Sequence, residues 1–256
     1  MQHEQNIKPA IRMKWVDLLF LHWPVDESAL RPLVPPELDL DLHDGRAWIG
    51  LVPFRMADVH PRILGITPPS VPFFNPPMFP ECNVRTYVRY RGTPGVWFHS
   101  LDAASMVPVL AARTIWRLNY CWSRFSFQRQ GDRVKYAVQR RTGHRGFMRG
   151  THPAWPHGQS LTPPAHSRIT WTYGEELPAS EPGTLEHFLT ERYHLYTLKA
   201  GRILDGRVSH PRWKLRAAEV NELDDRLISA AGLQVDGEPI VMGSDGVDAL
   251  GWPLSA

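Results

Sequence analysis

The chain has 256 residues, 43% of them hydrophobic, and a net charge of +3 from 24 Arg and 5 Lys against 26 acids. That is enough apolar material for a substantial core in one domain, and too mild and dispersed a charge for a nucleic-acid protein of the usual kind. No stretch approaches the roughly 18 apolar residues of a membrane span, the apolar piece at residues 18–21 is too short for a secretory leader, and a soluble cytoplasmic protein is expected.

Residues 1–12 are polar and read as a loose tail. A strand over 15–23 ends at Pro24, after which Asp26 is placed to N-cap a short helix, 27–33, closed by Val34-Pro35-Pro36. Leu38, Leu40 and Leu42 alternate with Asp39, Asp41 and His43, Asp44-Gly45 supplies a turn, and 47–54 returns as a strand, which together predict a hairpin. Seven prolines between residues 61 and 80 exclude a central strand or long helix there and leave a stiff loop, either a lid or a wrap over the core.

Residues 79–103 organise the chain. Asn83, Arg85, Tyr87 and Arg89 alternate with Val84, Thr86, Val88 and Tyr90, so one strand carries a polar face and a β-branched face. Residues 91–95 supply Gly and Pro for a turn, 96–101 resume as a strand, and Asp102 is expected to stop it. A face rich in Arg and Tyr is either the wet outside of a sheet or the lining of a barrel. Glu81, Asn83, Arg85, Tyr87, His99 and Asp102 crowd into 22 residues, which favours the lining.

A helix over 103–116 follows, then a second hairpin in which Ser123, Phe125 and Phe127, and later Val134, Tyr136 and Val138, define an apolar face around Gly131-Asp132. Residues 124–149 hold eight basic residues against Asp132, a surface that is either solvated or able to meet an anionic ligand. His152, His157 and His166 have no zinc spacing. A strand over 167–173 precedes a helix capped by Thr184, strands at 196–198 and 203–204, a helix over 219–231 ended by Gly232, and a final short strand within 239–253. Cys82 and Cys121, 39 positions apart, suit neither a disulfide framework nor a metal site. No nucleophile elbow, phosphate loop, dinucleotide fingerprint or zinc motif occurs. His99, Ser100 and Asp102 do not make a triad, because neighbours on a strand point to opposite faces.

Several stretches carry a family resemblance: ESALRPLVPPELDL (27–40), DGRAWIGLVPFRM (44–56), PECNVRTYV (80–88), GVWFHSLDA (95–103), Ala111-Ala112-Arg113 with Leu118-Asn119-Tyr120, LTERYHLYT (189–197), HPRWKL (210–215) and SDGVD (244–248). In this order they resemble the YqjF-like family of bacterial proteins of unknown function over residues 13–253, taken as a single domain. That family is similar in turn to acetoacetate decarboxylase. The resemblance implies a mainly β fold, a conical antiparallel β barrel with a few short peripheral helices around a central pocket. The decarboxylase works through a lysine Schiff base that follows an Ile-Trp-Gly-Phe-Pro stretch. Here Ile115-Trp116-Arg117-Leu118-Asn119 leads to Tyr120 and Cys121, Asn119 replaces the proline of the YqjF-like pattern, and Lys8, Lys14, Lys135, Lys199 and Lys214 fall elsewhere, so the nucleophile is missing.

The expectation is a barrel pocket for a small acidic organic molecule, with Arg85 clamping its carboxylate, Asn83 and Tyr87 orienting it, and His99 and Arg113 as further binding residues. Turnover, as a lyase or hydratase, would use Glu81 or Tyr120 as acid or base, or Cys121 as nucleophile, although a free cysteine is ordinarily a small buried hydrophobe. No cofactor, metal, nucleic acid or membrane partner is expected. Two rivals fit the same residues: a non-catalytic sensor or carrier with this pocket, and an interaction protein using the basic hairpin 124–149.

Overall fold

The computed structural model describes residues 8–62, 78–104, 118, 120–141 and 165–256. Among them β1 (Ile11–Val25), β2 (Asp39–Leu40), β3 (Ala47–Pro61), β4 (Met78–Tyr90), β5 (Thr93–Ala103), β6 (Tyr120–Gln130), β7 (Arg133–Arg140), β8 (His166–Glu176), β9 (His194–Lys199), β10 (Arg202–Ser209), β11 (Arg216–Asp225) and β12 (Ile240–Gly251) join in one 12-stranded sheet. Helix is confined to α1 (Glu27–Leu30), α2 (Leu185–Thr190), α3 (Leu227–Ala230) and a 3-10 turn at Arg31–Leu33. None of these is long and apolar enough to cross a membrane.

The sheet closes on itself and forks. β5 pairs along one edge with β4, while its other edge meets β9 at Val96 and Trp97 and β6 at Leu101, Asp102 and Ala103. β12 does the same at the far side, taking β11 at Met242 and Gly243 and β10 at Leu250 and Gly251. Two rings therefore share the wall β12-β1-β3-β4-β5, one closing through β6, β7, β8 and β11 and the other through β9 and β10. A wall with a ring on each side is buried on both faces, and β3 accordingly reads as a nearly continuous apolar run, AWIGLVPF, whereas β7 alternates buried and exposed positions. Two apolar clusters fill the rings. One takes Leu19, Leu21, Cys82, Val84 and Val88 from the wall together with Tyr136 and Trp171; the other takes Phe20, Trp48, Val52, Phe54 and Tyr87 with Leu189 and Trp213.

The mainly β barrel and both long hairpins agree with the sequence reading, and Thr184 caps α2 by accepting from the His187 amide at 3.3 Å. Other expectations change. Asp102 does not end a strand; it lies inside β5, wholly buried, because Arg140 neutralises it. The helix expected over 219–231 is instead β11 followed by the short α3: a register shift between Val220 and Glu222 brings Val220 and Leu223 onto one face, which imitates helical spacing. Asp44 and Gly45 do turn, at φ 49° and 72°, but β2 pairs with β4 rather than β3, since Asp41 is held between Arg89 and Arg192. Asp26 occupies the cap position of α1 without a side-chain bond to it. The final strand is long, running the length of β1. Ala103, the expected start of the helix over 103–116, is the last residue of β5, and residues 105–116, most of the proline segment, His152 and His157 lie outside the described residues.

Candidate functional site

The second ring is where the odd-numbered side chains of β4 point. Glu81, Asn83, Arg85 and Tyr87 share one face, paired without a break against Phe54, Val52 and Gly50 of β3 for the first three. α2 lies against this face. The last carbonyls of a helix have no partner inside it, and here the wall and the segment after β10 supply them: the Leu189 carbonyl accepts from Arg85 Nη2 at 3.0 Å and from the Tyr87 hydroxyl at 2.8 Å, while the Thr190 carbonyl accepts from Trp213 Nε1 at 3.0 Å.

Arg85 is half-buried, with its guanidinium carbon 5.7 Å from the Phe20 ring centroid and 5.8 Å from that of Tyr87. Among the described residues no carboxylate pairs with it, and its Nε is buried without a hydrogen-bond partner. Neighbouring Arg192 differs, since Asp41 holds it at 2.5 Å. Asn83 is 5% exposed and its Oδ1 likewise lacks a partner among the described residues. An unpaired charge and an unpaired amide oxygen in such a place are costly unless something completes them.

Glu81 is 3% exposed, and the Tyr120 hydroxyl donates to its Oε2 at 3.2 Å. Burial, aided by the negative charge of Asp102, pushes its carboxyl up to about 8 against the pull of the Tyr120 bond, so Glu81 is a protonated acid at neutral pH. The same burial and the proximity of Glu81 push the Tyr120 phenol up. Arg85 is not the partner of Glu81. A neutral carboxylic acid within an apolar wall is a competent proton donor.

Two residues of this face went unnoticed in the sequence. His22 on β1 stacks on Phe20 and reaches the Tyr87 hydroxyl with Nε2 at 2.6 Å, crossing Gly50, which is its register partner on β3. A Cβ on Gly50 would lie 2.9 Å from His22 Cδ2 and 3.0 Å from Nε2, so glycine makes the crossing. Burial, then the charge of Arg85, drives the His22 imidazole well below the ordinary histidine range, and it is neutral. The signal available was a glycine in the middle of an apolar strand, which often marks a close approach. Trp48, two residues before Gly50, is the second, buried and with Nε1 unpartnered among the described residues.

Not every remaining candidate joins this face. Cys121 is wholly buried in register with Asp102, and Asp102 in turn with Cys82, on the first ring's side of the wall; burial and neighbouring acids push the Cys82 thiol well up. His99 sits in the bulge between the Val84–Ser100 and Arg85–Phe98 pairs, buried and lowered to about 4 by desolvation. Asp102 accepts from Ser123 at 2.6 Å and from Arg140 at 2.7 and 2.9 Å, away from any His99 triad. Of the basic hairpin, Arg140 is spent on Asp102 and Arg129 on Asp17 and Asp245; Arg124, Arg133, Lys135 and Arg141 are exposed. Arg113 lies outside the described residues. Lys8, Lys135, Lys199 and Lys214 are exposed, and Lys14 pairs with Asp58 at 2.9 Å, so the five lysines stay off both ring interiors. No group of three or more His, Cys, Asp or Glu among the described residues is arranged to hold a metal.

Solved structures share the fold. Acetoacetate decarboxylase from Legionella pneumophila superposes with a TM-score of 0.62 at 14% identity, covering 98% of this chain and 88% of that one. The enduracididine biosynthesis enzyme MppR, complexed with pyruvate, gives 0.56 at 12% identity over 99% and 91%. An acetoacetate decarboxylase-like enzyme from Sphingomonas wittichii RW1 gives 0.54 at 13% over 98% and 92%. In sequence, the uncharacterized protein YqjF of Bacillus subtilis is 34% identical over 245 residues, 95% of this chain and 91% of the relative. The family model DUF2071, described as an uncharacterized conserved protein, matches residues 12–248, and the chain therefore belongs to the DUF2071 family, with an acetoacetate decarboxylase-like fold.

Proposed function

We propose that this is a cytoplasmic protein that binds a small carboxylate-bearing organic molecule against the odd face of β4, with Arg85 as the charge partner. The observation that carries the reading is the half-buried Arg85 guanidinium, which lacks an acidic partner among the described residues while Arg192 beside it has one. A carboxylate would complete it as a charge-assisted pair. Glu81, neutral and bonded to Tyr120, stands four residues along the strand on the same face, roughly 13 Å away, and would donate a proton to the far end of the bound acid, as a lyase or hydratase requires. The pyruvate held by the MppR relative is a ligand of this class. With no lysine on the ring interiors the chemistry would not pass through a Schiff base. That same lack favours a second reading, a sensor or carrier that binds the acid without turning it over.

Calorimetric titration with a panel of short carboxylic acids tests the binding step. Arg85→Ala is expected to lose about 1.5 to 3 kcal/mol, roughly 10 to 150-fold in affinity, with its melting temperature nearly kept. A large drop in melting temperature with binding intact would make Arg85 scaffold and refute the proposal. Product formation from the bound acid, abolished in Glu81→Gln, separates enzyme from carrier.

A further inference from the structure

The hydrogens around Tyr87 can be placed. Its oxygen lies 2.8 Å from the Leu189 carbonyl oxygen, a distance two oxygens keep only with a hydrogen between them. The carbonyl has none to give, so Tyr87 donates there. With its one proton spent, Tyr87 can only accept from His22 Nε2 at 2.6 Å. His22 therefore carries its proton on Nε2, and Nδ1 is a bare acceptor, buried and without a partner among the described residues. The Cδ2–Nε2 edge lies over Gly50, and the atom across the ring from that edge is Nδ1, which thus turns away from β3 into the second ring.

Nδ1 joins a small set. His22, Gly50 and Arg85 are successive register partners across β1, β3 and β4, placing His22 and Arg85 roughly 10 Å apart between backbones, and Asn83 sits roughly 7 Å along β4 from Arg85. The unpartnered atoms are then two acceptors, His22 Nδ1 and Asn83 Oδ1, and two donors, Arg85 Nε and Trp48 Nε1. A bare carboxylate answers the donors and repels the acceptors. A hydroxyl answers both kinds, since it donates its one proton to one of the two acceptors and accepts through its lone pairs.

We propose that His22 and Asn83 form a hydroxyl-recognising subsite beside Arg85, so that the ligand class is a short hydroxy acid rather than a plain carboxylate; this rests on the carboxylate reading above. A site built to bond a hydroxyl discriminates strongly against the analogue lacking it, because its own buried polar groups are then left unpaired.

The test titrates matched pairs, propionate against 2-hydroxypropionate and butyrate against 3-hydroxybutyrate, into the wild-type chain and three variants whose melts show them folded. At least one hydroxy acid is expected to bind the wild type tenfold or more tighter than its partner. Asn83→Leu or His22→Leu should shrink that preference below threefold, the hydroxy acid losing more affinity than the plain acid; having two variants guards against one failing to fold. Arg85→Ala should weaken both members alike. Equal binding within both pairs, with dependence on Arg85 intact, overturns the subsite and leaves the carboxylate reading standing, as does a preference that survives in both the Asn83 and His22 variants. Failure of the wild type to bind any member overturns both.

Discussion

The two faces of β4 solve the problem of buried polarity in opposite ways. On the even face, toward the first ring, the buried charges are matched: Asp102 of the neighbouring strand takes two bonds from Arg140 and one from Ser123, and Arg140 also donates to Ser100 at 3.0 Å. On the odd face, toward the second ring, Glu81 is kept neutral, Arg85 has a carbonyl but no counter-charge among the described residues, and acceptors on His22 and Asn83 are left open. A satisfied buried pair holds a fold together and has no capacity left for a ligand. An unsatisfied set costs stability and is kept where something else completes it. The difference assigns scaffold to one side of a single strand and site to the other.

The largest effect that would break this comparison is on the scaffold side. Asp102→Ala leaves the Arg140 guanidinium, 3% exposed, without its counter-charge, and should cost about 3 to 5 kcal/mol in urea unfolding. Replacing both, as Asp102→Leu with Arg140→Leu, should recover much of the loss. A single-variant cost under about 1 kcal/mol would remove the basis for calling that side scaffold.

Next comes the pH dependence of Glu81. Its folded value, about 8, lies above its unfolded value near 4.5, so the folded state holds a proton the unfolded state has released between them. Its contribution is complete below about pH 4.5 and is lost as pH rises through about 8, at up to about 1.4 kcal/mol per pH unit. His22 and His99 act in the other direction: both are lowered in the fold, and they remove stability as pH falls below their ordinary 6.5. Glu81→Gln should therefore flatten the alkaline decline between pH 5 and 8 and leave the acid limb unchanged. Parallel wild-type and variant curves would mean that Glu81 is ionised in the fold.

Much of the architecture was legible because strands declare themselves by period 2. The β4-β5 and β6-β7 hairpins follow directly from alternation and turn residues, and the division of β4 into a polar and a β-branched face located Glu81, Asn83, Arg85 and Tyr87 together. What one strand cannot declare is what covers it. The polar face lies against α2, which arrives from about 100 residues further along the chain, and neither the wet-outside reading nor a single barrel lining anticipates a wall between two rings. Bulges hide the period as well, as β11 shows, and Asp102 looked like a terminator because its partner Arg140 is 38 positions away. His22 was hidden in the apolar run of β1, where its burial is ordinary and only the bond to Tyr87 is not.

The smallest change that sharpens the comparison is one methyl group at Gly50. In a strand interior, exchanging Gly for Ala is ordinarily favourable by roughly 0.5 to 1 kcal/mol, because glycine loses more freedom on folding. Here the new Cβ would meet His22 Cδ2 at 2.9 Å and Nε2 at 3.0 Å, with Tyr87 Oη at 3.4 Å, inside a face where His22 has no exposed surface to retreat to. Overpacking of this kind costs about 1 to 3 kcal/mol, so the sign of the effect is itself the readout. Gly50→Ala should lower the melting temperature, break the His22–Tyr87 bond and erase any preference for hydroxy acids while the carboxylate still binds Arg85. In a His22→Ala background the same methyl has room, and Gly50→Ala should there become neutral or stabilising, giving a coupling energy that a double-mutant cycle measures directly. An equal effect of Gly50→Ala in both backgrounds would show that the glycine serves the strand and not the histidine, and His22 would then belong with the packing of β1 rather than with the site.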